Sequence, residues 1–207
     1  SASGEMPALE VARGAVDLSR KSIVPLKFTA ARARSARNAE YVRAASSIAR
    51  VLDAGLSVAM VNLGDVSICA TAYDVLDELR RRGYATQMIP GITSFCAVAA
   101  ALGTSLTDRR GATSENVPVT ATYRNELQTV PETVELSGTK VLMKSGKAIG
   151  ETAAALSCRG LAKEASMVAD CGLPSQRIFS EMTDLPENVG VSSTVIVPEG
   201  HRAARKK

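Results

Sequence analysis

Histidine is all but absent from this chain: the single copy, His201, lies in a charged C-terminal tail. Catalysis by a Ser-His-Asp or Cys-His arrangement would have to run through that one residue, so those chemistries are set aside. The four cysteines, Cys69, Cys96, Cys158 and Cys171, are scattered with no pair at metal-ligand spacing. With a lone histidine they make no zinc site of the usual kind, and no metal is expected. Tryptophan is missing and aromatic residues make up 3% of the chain, too few for a platform on which single-stranded nucleic acid could stack. No apolar run approaches the roughly 18 to 20 residues of a membrane helix. Ser1 to Pro7 has neither the basic flank nor the apolar stretch of a secretory signal. The expected compartment is therefore the cytoplasm, with neither membrane nor nucleic acid as partner. Chemistry driven by positioning and by a reactive cofactor survives these exclusions.

What is present is ordinary globular material, 45% hydrophobic and 22% charged over 207 residues, enough for one large domain or two modest ones. The net charge of +4 is unevenly spread. Arg32, Arg34 and Arg37 cluster early, Arg80, Arg81 and Arg82 close a helical pattern, and Arg202, Arg205, Lys206 and Lys207 form the tail. Such clusters are ordinarily solvated, and Arg80 to Arg82 suit the negative end of a helix. A polyanionic partner is the other reading.

The first half alternates strand-like and helix-like patterns. Ser35 to Ala54 reads as a helix capped by Ser35, with Ala39, Val42, Ala45, Ala49 and Leu52 at helical spacing and Gly55 as the left-handed stop. Ser57 to Leu63 reads as a buried strand ended by Gly64. Ala72, Val75, Leu76 and Leu79 mark a second helix stopped by Gly83. Thr86 to Ile89 reads as a strand that Pro90-Gly91 terminates, and Ser94 to Leu102 as an Ala-rich helix stopped by Gly103. This alternation implies a parallel sheet with right-handed crossovers. Beyond a polar stretch at 104–115 come strand-like runs at Val117–Thr122, Lys140–Met143, Ser166–Ala169, Gln176–Phe179 and Ser193–Pro198, with one helix at about Lys147 to Leu156. The expectation is two α/β domains, 1–103 with a parallel sheet and 104–207 with a mixed sheet, and a cofactor cleft between them.

Several of these strands end in residues that suit a ligand. Gly64-Asp65 lets a ligand approach the backbone and offers a carboxylate to a ribose hydroxyl or a cation. Pro90-Gly91-Ile92-Thr93-Ser94 combines a fixed dihedral, a permissive glycine and a helix cap whose N–H groups face a crevice. Taken singly, each is equally a well-made turn. Met143-Lys144 ends another strand and Cys171-Gly172-Leu173-Pro174 follows a fourth; alone, Met143 reads as core and Lys144 as solvated. Together, four such endings can ring a purine-containing ligand outside the carboxyl ends of strands.

Leu63-Gly64-Asp65 with Ser67 and Thr71, then Pro90 to Phe95, Val141-Leu142-Met143-Lys144 and Cys171 to Pro174 stand in an order that resembles the tetrapyrrole methylases. These are class III S-adenosylmethionine-dependent enzymes of cobalamin and sirohaem synthesis. The resemblance extends over about Ser57 to Pro198 and is greatest for the precorrin-2 (cobalt-factor II) C20-methyltransferase branch. That branch has Leu-Gly-Asp-Pro-Ser-x-Tyr-Ser-Thr where this chain reads Leu-Gly-Asp-Val-Ser-Ile-Cys-Ala-Thr. The branch rests on Ser67, Thr71 and Phe95. The resemblance implies a two-domain tetrapyrrole methylase fold and a cofactor site of Leu63, Gly64, Asp65, Ile68, Thr93, Ser94, Met143 and Gly172. It also implies a homodimer. Two departures stand out. Val66 replaces the family's Pro, which should loosen that turn. The family's opening strand and Gly-x-Gly-Pro-Gly-Asp loop have no match upstream of Ser57, and the chain is expected to begin later than the family pattern does.

The implied reaction is methylation of C20 of precorrin-2 or cobalt-factor II, a meso carbon with enamine-like nucleophilicity. Such a step needs alignment rather than a strong base, in keeping with the missing histidine, and no catalytic residue is assigned. The substrate's many carboxylates give Arg32, Arg34, Arg37, Lys144 and Lys147 a role as contacts. Another tetrapyrrole methylase, a relative acting on protein or RNA, and a non-catalytic basic binding module are the alternatives.

Overall fold

The structure is a computed structural model and describes residues 6–29, 33–107, 119–121, 130–136, 138–143, 145–186, 189 and 192–198. The chain forms two compact units, 1–91 and 92–207, dividing between Gly91 and Ile92.

The described part of the first unit is helical. Its elements are α1 (Pro7–Ala15), α2 (Arg34–Asp53) and α3 (Thr71–Arg81). On α2, Ala44, Ala45, Ile48 and Ala49 are buried, and on α3 so are Ala72, Val75 and Leu79. Small residues on α2 let α3 approach closely, and Val75 and Leu79 fill the seam against Ala44, Ala45, Ile48 and Ala49. Both helices end as the glycines foretell. Gly55 and Gly83 take φ of 78° and 87°; the next residue's N–H bonds back to Val51 in α2 and Leu79 in α3, which satisfies carbonyls the helix leaves open. The start of α2 differs from expectation. Ala33 occupies the cap without a side-chain bond, and Ser35 lies inside the first turn, because the helix begins at Arg34.

The expected strands at 57–63 and 86–89 are corrected. Both stretches lack regular structure, and no ladder forms among the described residues of this unit. The physical reason is the absence of a partner. Among the described residues, the backbone groups of 57–62 and 85–90 make no hydrogen bond to other backbone, and Val58, Val61, Leu63 and Ile89 remain 40%, 52%, 46% and 69% exposed. A pair of runs that no third element among the described residues covers does not hold a sheet together.

The second unit carries α4 (Ser94–Ala101), β1 (Val119–Ala121), α5 (Val130–Val134), β2 (Lys140–Met143), a 3-10 turn at Ser145–Ala148, α6 (Ile149–Ser157), β3 (Ser166–Ala169), β4 (Arg177–Phe179) and β5 (Ser193–Val197). All five strand-like runs thus become strands. They form one mixed sheet in the order β1-β2-β5-β3-β4, with β1 parallel to β2 and β5 antiparallel to both neighbours. Residues 193–197 of β5 are all buried, as a central strand covered on both faces should be. Leu142, Met167, Val195 and Val197 share a core with Val134, Ile149 and Leu156 of the α5 and α6 side. The α4 helix packs against β2, β3 and β5. No helix of the described residues is long and apolar enough to cross a membrane.

Candidate functional site

In the first unit the Gly-Asp turn and the Pro-Gly turn dock on each other. Gly64 adopts φ 76°, a conformation that favours glycine, and this turns Asp65 back toward residue 91. The Asp65 carboxylate accepts the Gly91 N–H at 2.8 Å through Oδ2. Its Oδ1 accepts both the N–H of Ser67 at 2.8 Å and the Ser67 hydroxyl. A Cβ on Gly91 would lie 2.3 Å from the Gly64 carbonyl oxygen, so only glycine permits this approach. The turn closes with the Ile68 N–H on the Asp65 carbonyl at 3.2 Å, and with Val66 in place of proline the Asp65–Ser67 bonds do the holding. The Ser67 hydroxyl, then the N–H groups of Gly91 and Ser67, hold the Asp65 carboxyl below its ordinary value. Asp65 is therefore an anion at neutral pH.

This arrangement suits a cationic nucleoside ligand. A carboxylate has about four lone-pair positions, and three donors engage Asp65 here, leaving room for a hydroxyl. Leu63 stands 46% exposed beside it, an apolar wall of the kind a purine needs. Ile68 is half-buried.

In the second unit the register decides which residues meet. Met143 pairs with Thr194 and with Ala121, and Ala169 pairs with Ser193. The carboxyl ends of β1, β2 and β3 therefore share one edge of the sheet, opposite the start of β5. Met143 sits on that edge, buried at 6% exposure. Gly172 follows from β3 through a turn in which Asp170 takes φ 51° and Gly172 φ 80°. The turn is fixed by Ser175 donating to Asp170 Oδ2 at 3.1 Å and by the Gly172 N–H on Gln176 Oε1 at 2.7 Å. Burial pushes the Cys171 thiol up, which keeps it protonated and un-nucleophilic. Thr93 caps α4, its Oγ1 accepting from the Cys96 N–H at 3.4 Å, and Ser94 opens the helix. Both are half-buried.

Of the basic residues proposed for substrate contact, Arg34 is exposed and Arg37 half-buried in the first turn of α2. Lys147 lies in the 3-10 turn after β2, while Arg32 and Lys144 lie outside the described residues. Sequence reasoning overlooked Ser67 as a donor to Asp65 and Gln176 as the support of Gly172. The first was available as an Asp-x-Ser turn signal; the second had none.

Residues 4–186 match the Tetrapyrrole (Corrin/Porphyrin) Methylases, and the chain belongs to that family, whose methyl donor is S-adenosylmethionine. A precorrin-4 C(11)-methyltransferase of Sinorhizobium sp is 39% identical over 69 residues, which is 33% of this chain and 24% of that protein's length. Among solved structures, the cobalamin biosynthetic enzyme cobalt precorrin-4 methyltransferase, CbiF, aligns with a TM-score of 0.63 at 18% identity, over 75% of this chain and 69% of its own. The methyltransferase CobJ aligns at 0.58 and 17%, over 79% and 72%. A uroporphyrin-III-C-methyltransferase from Thermus thermophilus aligns at 0.57 and 23%, over 74% and 70%. These likenesses establish the α/β tetrapyrrole methylase fold.

Proposed function

We propose that this protein is an S-adenosylmethionine-dependent C-methyltransferase of reduced tetrapyrroles in cobalamin biosynthesis, acting at C20 of precorrin-2 or cobalt-factor II. Family membership along residues 4–186 is the observation that carries the reaction class. The position of methylation rests on Ser67, Thr71 and Phe95. The relative with 39% identity, a precorrin-4 C(11)-methyltransferase, favours a second reading at C11 of precorrin-4.

When bound, S-adenosylmethionine supplies an electrophilic methyl group on a sulfonium centre. Leu63, Gly64, Asp65, Ile68, Thr93, Ser94, Met143 and Gly172 are the residues proposed to hold it. Asp65, anionic and with acceptor capacity to spare, would take a ribose hydroxyl or face the cation. Arg34 and Arg37, with Arg32, Lys144 and Lys147, would bind and orient the ring through its carboxylates. Orientation of this kind lowers a barrier by on the order of 7 to 11 kcal/mol in the best cases, and no strong base is asked of the protein. The assembly proposed is a homodimer, to be checked by light scattering; a monomer at micromolar concentration would count against it.

The test is incubation with methyl-labelled S-adenosylmethionine and either precorrin-2 or precorrin-4, with the labelled carbon located by NMR. Label at C20 supports the first reading, and label only in precorrin-4 the second. Cofactor binding without transfer to either would leave a binding module.

A further inference from the structure

The strand β5 reads Ser193-Thr194-Val195-Ile196-Val197 and is buried along its whole length. A central strand covered on both faces favours β-branched apolar residues, and the last three positions have them. Thr194 departs from that pattern at 4% exposure. Valine has its shape without the cost of taking a hydroxyl out of water.

The buried serines of this unit give their hydroxyls to the fold. Ser193 donates to the Val189 carbonyl at 3.2 Å, Ser145 to the Leu142 carbonyl at 3.0 Å and Ser166 to the Ser180 carbonyl at 3.0 Å. Nothing among the described residues hydrogen-bonds the Thr194 hydroxyl. Yet every fully enclosed side-chain N or O atom among the described residues has a partner, so the Thr194 oxygen keeps an opening to the surface. Thr139, at 8% exposure, likewise has no partner among the described residues, but it precedes β2 at the opposite edge of the sheet.

Register fixes what stands beside Thr194. Directly paired residues lie on one face of a sheet, so Met143, Thr194, Val168 and Ile178 form a row across β2, β5, β3 and β4. Leu142, Met167 and Val195 belong to the core on the α5–α6 side, and alternation sends the row to the other face. That is the face of α4, which packs on the same strands and gives no residue to that core. Thr93 and Ser94 open α4. The row lies near the edge where β2 and β3 end, the edge of Met143 and Gly172. It carries no charge, and its one polar side chain is Thr194. A hydroxyl both donates and accepts, which suits a neutral nucleoside; a sulfonium or an amino-acid group calls for a charge.

We infer that Thr194 is a further cofactor-binding residue, whose hydroxyl hydrogen-bonds the nucleoside of S-adenosylmethionine beside Met143. The inference rests on the cofactor site proposed above. It is tested on the full chain by calorimetry with S-adenosylhomocysteine and with 5′-methylthioadenosine, which keeps the nucleoside and lacks the amino acid. Thr194→Val should weaken both probes about tenfold without lowering the melting temperature, while Thr194→Ser, which keeps the hydroxyl, should stay within about threefold of wild type. Unchanged affinity in Thr194→Val, or loss for S-adenosylhomocysteine alone, would overturn the inference. So would a valine variant that melts lower or fails to fold, because the hydroxyl would then serve the fold, and so would a wild-type chain that binds S-adenosylhomocysteine but not methylthioadenosine. A wild-type chain that binds neither probe would overturn the cofactor reading itself, before any variant is made.

Discussion

Gly91 shows how much of the site is decided by single residues. Its Cα lies against the Gly64 carbonyl, so any side chain must push the two turns apart. Gly91→Ala should cost about 2 kcal/mol or more of stability by overpacking and should abolish cofactor binding, both readable in one thermal-shift titration. Gly14→Ala is the matched control, since nothing lies within 4 Å of a Cβ there; in helix it should be neutral or stabilising by up to about 1 kcal/mol. Asp65 supplies the pH dependence. Its folded-state value is depressed, chiefly by the Ser67 hydroxyl and next by the Gly91 N–H. The contribution of the docked turns is therefore complete above the ordinary carboxylate value and is lost as pH falls through the lower folded one. The Gly91 amide resonance should shift only below about pH 4, and Asp65→Asn should remove that titration. In the same variant S-adenosylhomocysteine should bind about tenfold more weakly; an unchanged dissociation constant would take Asp65 out of the site. The sequence made Gly64, Asp65 and Gly91 legible as turn formers because their chemistry is local. It could not show that one turn's carboxylate caps the other, since that contact spans 26 positions.

At the scale of elements, helices were read more faithfully than strands in the first half, and the cause is again range. Gly55, Gly83 and Gly103 all adopt positive φ one residue past a helix C-cap, and the apolar spacing of α3 falls on its buried face. Those signals are contained in the element. Val58 to Leu63 is as apolar as β5, yet β5 lies between β2 and β3 while 57–62 bonds to no other backbone among the described residues. Composition reports readiness to pair, not the presence of a partner. Side-chain position within the second sheet should then govern mutational cost. Leu142, fully buried in β2, should lose about 3 kcal/mol on truncation to alanine. Ile178, 51% exposed on the edge strand β4, should lose less than about 1 kcal/mol. Urea titrations of the two variants give the comparison. Equal losses would mean that the edge strand is covered in solution.

At the scale of the whole chain, the two units differ in what they bury. The second encloses large side chains completely, among them Leu142, Leu156, Met167, Met182 and Ile196. The first relies on alanines with Ile48, Val75 and Leu79, and leaves Leu56, Val58, Val61, Leu63 and Ile89 at 40% exposure or more. Burial of apolar area is the main favourable term in folding, so the second unit should resist opening longer. Native-state hydrogen exchange measures this directly. Amides of β2, β3 and β5 should be the slowest to exchange. Those of 57–62 and 85–89, which donate to no acceptor among the described residues, should exchange at nearly the rate of an unfolded chain, although they flank the docked Gly64 and Gly91. The exposed side chains add a second readout, because exposed apolar residues on backbone outside a ladder invite association. The wild-type chain should bind an apolar dye such as ANS. Val58→Lys with Val61→Lys should lower that binding and raise the soluble yield without altering the melting of the second unit. Strong protection of 57–62 in the isolated chain, with no dye binding, would show that this face is already covered by backbone and side chains in solution, and that the first unit is a closed sheet after all.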